Sequence, residues 1–168
     1  MDSRVVLDCD WFVINQKPHL KQLAFCVVDE TSAGTDSCSH TFTFDLPLKA
    51  AEFGQDLIKQ AKHSHGLVWW YKGGYAAHEV PEAFSTIFEC YLNKRPSSVT
   101  FYAKGLQKCR LLESWLPSVI NLEDLGCSRF DELTNKEQTT LEKAKVFATW
   151  LHDQKSETLS PPAPSDAP

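Results

Sequence analysis

The chain has 168 residues, 42% of them hydrophobic, which suits one domain of ordinary size with a real core and excludes two full domains. A formal net charge of -5 excludes a global basic field that would draw the protein onto nucleic acid or anionic membrane, so any such binding must come from a local patch. No run approaches the roughly 20 apolar residues of a membrane span, and the opening MDSRVVLDCDWF lacks the basic, apolar and small-residue succession of a signal peptide. The expectation is a cytoplasmic or nuclear protein with no membrane partner. Six cysteines, at 9, 26, 38, 90, 109 and 127, have no CxxC spacing and read as reduced thiols. Six histidines form no HExxH pair, so nothing in the spacing supports a structural zinc site.

In chain order, RVVLDCDWFVI (4–14) is rich in branched and aromatic residues and predicts a strand, ended by a turn at Asn15, Gln16, Lys17 and Pro18. LKQLAFCVV (20–28) predicts a second strand, and HTFTFDL (40–46) a third with alternating Phe42, Phe44 and Leu46. The polar stretch DETSAGTDSCS between them predicts a surface loop. The period then changes to that of a helix over 48–62, and Pro81 opens a second helix whose apolar face includes Phe84, Ile87, Phe88 and Tyr91. A strand over 97–103, a helix over 106–116, a strand over 118–125 and a helix over 135–154 complete the order. The helix over 135–154 is expected to bury Leu141, Ala144, Phe147, Ala148 and Leu151. A three-strand meander followed by alternating helices and strands implies an α/β fold with a mixed sheet and flanking helices. This domain is expected to span 1–154. The remaining KSETLSPPAPSDAP (155–168) holds four of the nine prolines and predicts a disordered tail.

Asp8 and Asp10 share one face of the first strand, because side chains alternate with a period of two. Converging carboxylates suit a metal site, while the plain alternative is a strand end or pairing with lysines. His65, beside Gly66 in HSHGLVWW, is a candidate catalytic group; as a structural residue it would close the preceding helix. Trp69, Trp70, Tyr71 and Tyr75, interleaved with Lys72 and two glycines, resemble a base-stacking platform, against which stands ordinary core packing. Lys94, Arg95, Lys104, Lys108 and Arg110 cluster within an otherwise acidic chain, as a phosphate-binding edge or a solvated helix face.

The order of elements resembles the ribonuclease H-like fold, and within it the chain is similar to DEDDh exonucleases, which trim 3′ ends with two divalent metals. The resemblance covers about residues 4–152. It rests on VVLDCDWF, His65-Gly66-Leu67, VTFYAKGLQKCRLL and INLEDL. It implies Asp8 and Asp10 as ligands of Mg²⁺ or Mn²⁺ if the site is active. By the same resemblance Lys108 stands where the family has a metal-binding aspartate. QTTLEKAKVFA puts Gln138 at the family's histidine and Lys143 at its last aspartate. An ammonium at a ligand position repels the ions that two-metal hydrolysis needs roughly 4 Å apart, and Gln138 is no general base. Lys108 or Lys143 would instead pair with Asp8 and Asp10.

The run YAKGLQKCRLLESWLPSVINLEDLGCSRFDEL is also similar to exonuclease-like domains of invertebrate mobile elements and viruses, and distantly to the Maelstrom domain. The Maelstrom-type zinc site would involve Cys127, but its Cys-x-x-His run is absent between 131 and 143. These resemblances imply a catalytically degenerate pseudo-nuclease that binds RNA or single-stranded nucleic acid, or a protein that handles it. Trp70, Lys72, Lys104, Lys108 and Arg110 are its candidate contacts. Two alternatives stand beside it. One is an active exonuclease that uses Asp8 and Asp10, with Glu123 or Asp131 in place of a missing carboxylate. The other is a protein-interaction module that antagonises host silencing or defence.

Overall fold

The computed structural model describes residues 3–28 and 38–158, with only the backbone course for 155–158. β1 (Ser3–Ile14) and β2 (Lys17–Val28) form a long hairpin. Its turn is only Asn15 and Gln16, both at positive φ, the geometry whose twist matches two-residue hairpins. The turn is thus shorter than the four residues expected, and Lys17 and Pro18 open β2 instead. β3 (Ser39–Thr43) pairs antiparallel with β2, while β4 (Val99–Ala103) lies parallel to β1 and β5 (Ile120–Asn121) parallel to β4. The result is a five-stranded mixed sheet in the order β3-β2-β1-β4-β5, flanked by helices. β1, which carries both aspartates, is its central strand.

The hairpin register slips once. Asp10 faces Gln22 but Trp11 faces Leu20, so Lys21 is an extra residue, a β-bulge. On the far side of the bulge the alternation changes phase. Leu20 joins Leu23 and Phe25 on one face, and Lys21 is itself buried.

That face, with Val5, Leu7, Cys9, Phe42 and Phe101, is covered by α2 (Val80–Thr86) and its π-helical continuation Ile87–Leu92, and by α3 (Leu106–Leu112). The opposite face is covered in two separate pieces. Val6, Ala24, Cys26 and Val28 lie under α5 (Thr140–Thr158), which presents Ala144, Phe147, Ala148 and Leu151. Phe12 and Ile14 lie under a 3₁₀ turn (Leu48–Phe53) and α1 (Gly54–His63), through Ala50 and Leu57. Asp8 and Asp10 sit on β1 between Val6 and Phe12, where one cover ends and the other begins.

Several boundaries differ from the sequence expectation. The strand expected over 118–125 shrinks to Ile120–Asn121, because the Asn121 side chain accepts from the Glu123 N–H and Gly126 at φ 85° closes a 3₁₀ turn, Leu122–Leu125. A short helix not anticipated, α4 (Phe130–Leu133), follows. α5 starts at Thr140 rather than 135, where the Glu142 N–H donates to Thr139 Oγ1, and it runs through Thr158, past the expected domain end at 154. The expected tail from residue 159 onward, and the loop expected over 29–37, lie outside the described residues. No described helix is long and apolar enough to cross a membrane.

Candidate functional site

Asp8 is completely buried, and Lys108, from α3, donates from Nζ to its Oδ1 at 2.5 Å. Its other oxygen, Oδ2, has no hydrogen-bond partner among the described residues. Burial pushes the Asp8 carboxyl up and Lys108 pulls it back, leaving it at about 6. Burial alone would lower Lys108, but the Asp8 charge outweighs it and holds the ammonium above its ordinary value. An ion pair thus occupies the spot on β1 where two helical covers part.

Two residues along, Asp10 is half-buried and accepts from the Thr140 hydroxyl at 2.8 Å. The same hydroxyl lies 2.7 Å from Gln22 Oε1, the residue opposite Asp10 in the hairpin. Lys143, one turn along α5, makes no side-chain hydrogen bond or ion pair among the described residues. It lines two adjoining clefts. One, of about 390 Å³, is shared with Asp10, Trp11, Gln60, His65 and Lys108. The other, of about 250 Å³, is shared with Lys104, Lys108, Arg129 and Gln138. A third cleft, of about 510 Å³, adds Gln22, Thr41 and Thr140 and meets the first at Asp10 and His65. Together they form a trough across the gap between α1 and α5, with cations toward the β4–α3 side and hydroxyls and amides toward β2.

His65 follows α1, as a structural residue should, but its task is to fix the loop to the sheet. Nε2 donates to the Trp11 carbonyl at 3.0 Å, and Nδ1 accepts the Leu67 N–H at 3.0 Å. The ring packs edge-on against Phe12 and burial lowers its pKa. Both nitrogens of the neutral imidazole are committed to backbone, so the catalytic role considered for it has no free nitrogen through which to act.

The aromatic run divides. Trp69 packs beside Gly54 and the Phe12 cluster, and Tyr75 against Phe42 and Phe44, whereas Trp70, Tyr71 and Lys72 are exposed. The buried Lys21 holds this loop in place by donating to the carbonyls of Phe44 and Tyr71. Gly73 is needed there, because a Cβ would lie 2.5 Å from the Phe44 backbone. Of the basic cluster, Lys104 reaches the trough while pairing with Glu123 at 3.2 Å, Lys94 donates to Ser3, and Arg110 is exposed on α3 away from the three clefts.

The donor set does not fit the two metals that the family resemblance implies. An ammonium holds one oxygen of Asp8. Glu123 is paired with Lys104 and Asp131 with Arg129. Among the described residues no three His, Cys, Asp or Glu side chains converge to hold an ion. Cys127 is buried under α5 with Leu122 and Phe130, and burial pushes its thiol up to about 11, far from the thiolate that zinc requires. Neither a family model nor a curated protein matches the chain.

The sequence reading missed Gln22 and Thr140. The signal for Thr140 was present in Thr139-Thr140 ahead of an apolar period, a helix start that the run NKEQ masked.

Proposed function

We propose that this domain is a pseudo-nuclease that grips the phosphate backbone of RNA or single-stranded nucleic acid without metal. The observation that carries this reading is the pair of lysines in one trough, Lys108 on Asp8 and Lys143, which makes no ion pair among the described residues although its charge is felt at Asp8. An ammonium with no ion-pair partner among the described residues, set in a cleft, attracts an anion of phosphate chemistry, and Lys104 and Arg129 extend the same wall, each beside a carboxylate, Glu123 and Asp131. The strand order and the central position of the Asp8 strand are compatible with a ribonuclease H-like fold, in which this trough lies over the aspartates. The exposed Trp70 and Tyr71, beside Lys72, offer faces on which unstacked bases can lie. The same exposed aromatics favour the second reading, a surface for a protein partner.

The test is binding of labelled single-stranded RNA and DNA by fluorescence anisotropy, with Mg²⁺ and with chelator, scored for cleavage in parallel. Binding that survives chelation, without shortening of the strand, and that weakens in Lys143→Ala supports the proposal. Metal-dependent shortening that disappears in Asp8→Asn/Asp10→Asn overturns it in favour of an exonuclease. Absence of binding in every condition overturns it in favour of a protein-interaction module.

A further inference from the structure

Thr140 is only 3% exposed, yet its one hydroxyl meets polar side chains from two adjacent strands, Asp10 on β1 and Gln22 on β2. These two are direct partners in the hairpin, so their side chains stand beside each other on the trough face. A hydroxyl has one hydrogen to donate, and the ionised carboxylate is the stronger acceptor. Gln22 presents Oε1 to the same hydroxyl at 2.7 Å, which leaves its NH₂ on the wall of the cleft without a hydrogen bond among the described residues. The second oxygen of Asp10 makes no hydrogen bond among the described residues. The 510 Å³ cleft is therefore walled on its β side by an acceptor, the Asp10 carboxylate, beside a donor, the Gln22 NH₂. An acceptor beside a donor selects a hydroxyl, which donates to one and accepts from the other.

The position of those two groups narrows the choice. Asp10 also lines the adjoining cleft with Lys108 and Lys143, where the trough is cationic. In a polynucleotide the group one bonded step from a phosphate is the sugar, while the base edge lies further out. The donor that arrives beside Asp10 when a phosphate rests against the lysines is a sugar hydroxyl. Within a strand only ribose has one free, the 2′-OH, which is the group that distinguishes RNA from DNA.

We propose that Asp10 and Gln22, oriented by Thr140, read the 2′-hydroxyl of a ribonucleotide whose phosphate lies against Lys108 and Lys143, so that the trough prefers RNA to DNA. This rests on the nucleic-acid reading above. Thr140 is a positioning residue, since it touches Asp10 and Gln22 rather than the ligand.

The experiment compares single-stranded RNA, DNA and 2′-O-methyl RNA of one base sequence on wild type, Gln22→Ala, Thr140→Val and Lys143→Ala. Thermal melts of each variant control for folding. Losing the hydroxyl that faces an oriented acceptor and donor corresponds to about five- to tenfold in affinity. The expected result is that wild type binds RNA tighter than DNA by that factor, with 2′-O-methyl RNA falling to the DNA level. In Gln22→Ala and in the near-isosteric Thr140→Val, the RNA-to-DNA ratio should fall toward one, whereas Lys143→Ala should weaken all three ligands. Equal affinity of the wild type for RNA and DNA, or an undiminished ratio in both Gln22→Ala and Thr140→Val, overturns this inference and leaves the phosphate-binding reading standing. Failure of wild type to bind any of the three overturns both.

Discussion

At the scale of single residues, the molecule turns on the contact between Asp8 and Lys108. A buried ion pair is weak evidence of net stability, but removing one partner strands the other charge and costs about 3–5 kcal/mol. Lys108→Met should therefore lower stability by about that much at neutral pH, measured by urea unfolding. The loss should shrink on acidification, because a stranded Asp8 takes up a proton more readily than a paired one. A loss that is constant with pH would mean that Asp8 does not bear the stranded charge. The wild type carries a related signature. Because the folded-state value of Asp8, about 6, lies above the ordinary carboxylate value, folding binds a proton at this site. Its contribution is fully present below the ordinary value and is lost as pH rises through about 6. The stability of wild type relative to Asp8→Asn should thus fall with rising pH over that window and be flat above it; a rise would contradict the burial of Asp8. Much of this site was legible from residue order alone. Period-two alternation put Asp8 and Asp10 on one face, and the family resemblance put lysines opposite them. Which lysine pairs with which aspartate was not legible, since that depends on the approach of α3 to β1 across a hundred residues of chain.

At the scale of elements, Lys21 shows where alternation fails as a guide. At the bulge Leu20 joins the face of Leu23 and Phe25, and Lys21, the extra residue, is buried beside it although it carries a charge. The buried ammonium then ties β2 to the loop that carries Trp70 and Tyr71, through the carbonyls of Phe44 and Tyr71. Burial lowers the pKa of Lys21 while Asp45 opposes the shift. Lys21→Met keeps the aliphatic stem but leaves those carbonyls without their donor, at about 1–3 kcal/mol for a buried unsatisfied group. The expected outcome is a destabilised variant cut by protease between residues 66 and 74 faster than wild type. Cutting elsewhere at an unchanged rate in that loop would show that the Lys21 contacts do not hold it. The same reasoning explains the short β5. INLEDL reads as a strand by composition, yet Asn121 and Gly126 are a cap and a left-handed stop with four residues between them, and they curl Leu122–Leu125 into a 3₁₀ turn. The helices were legible where their apolar faces were strong, as in Ala144, Phe147, Ala148 and Leu151 of α5, and illegible at their ends, where α5 starts at Thr140, behind Thr139, rather than at Asn135.

At the scale of the whole molecule, a net charge of -5 is set against a trough whose walls carry Lys104, Lys108, Arg129 and Lys143. Three of these four already face carboxylates, Glu123, Asp8 and Asp131, so the trough is far less positive than its lysine count suggests. A protein with this distribution has no long-range field to attract polyanions, and its binding must come from short-range contact at a few phosphates. That argument sets a number. For single strands the slope of log affinity against log salt is about -0.7 per phosphate neutralised, so two or three contacts correspond to a slope of about -1.4 to -2.1. Lys104→Ala/Lys143→Ala should reduce the magnitude of the slope by about 1.4 and lower affinity similarly for all sequences, as expected for backbone rather than base contacts. A slope several times steeper in the wild type would point to a diffuse basic surface that the charge distribution does not contain. A slope unmoved by the double substitution would place the phosphates outside the trough, on Lys72 beside Trp70 and Tyr71, where aromatic stacking would then carry most of the affinity.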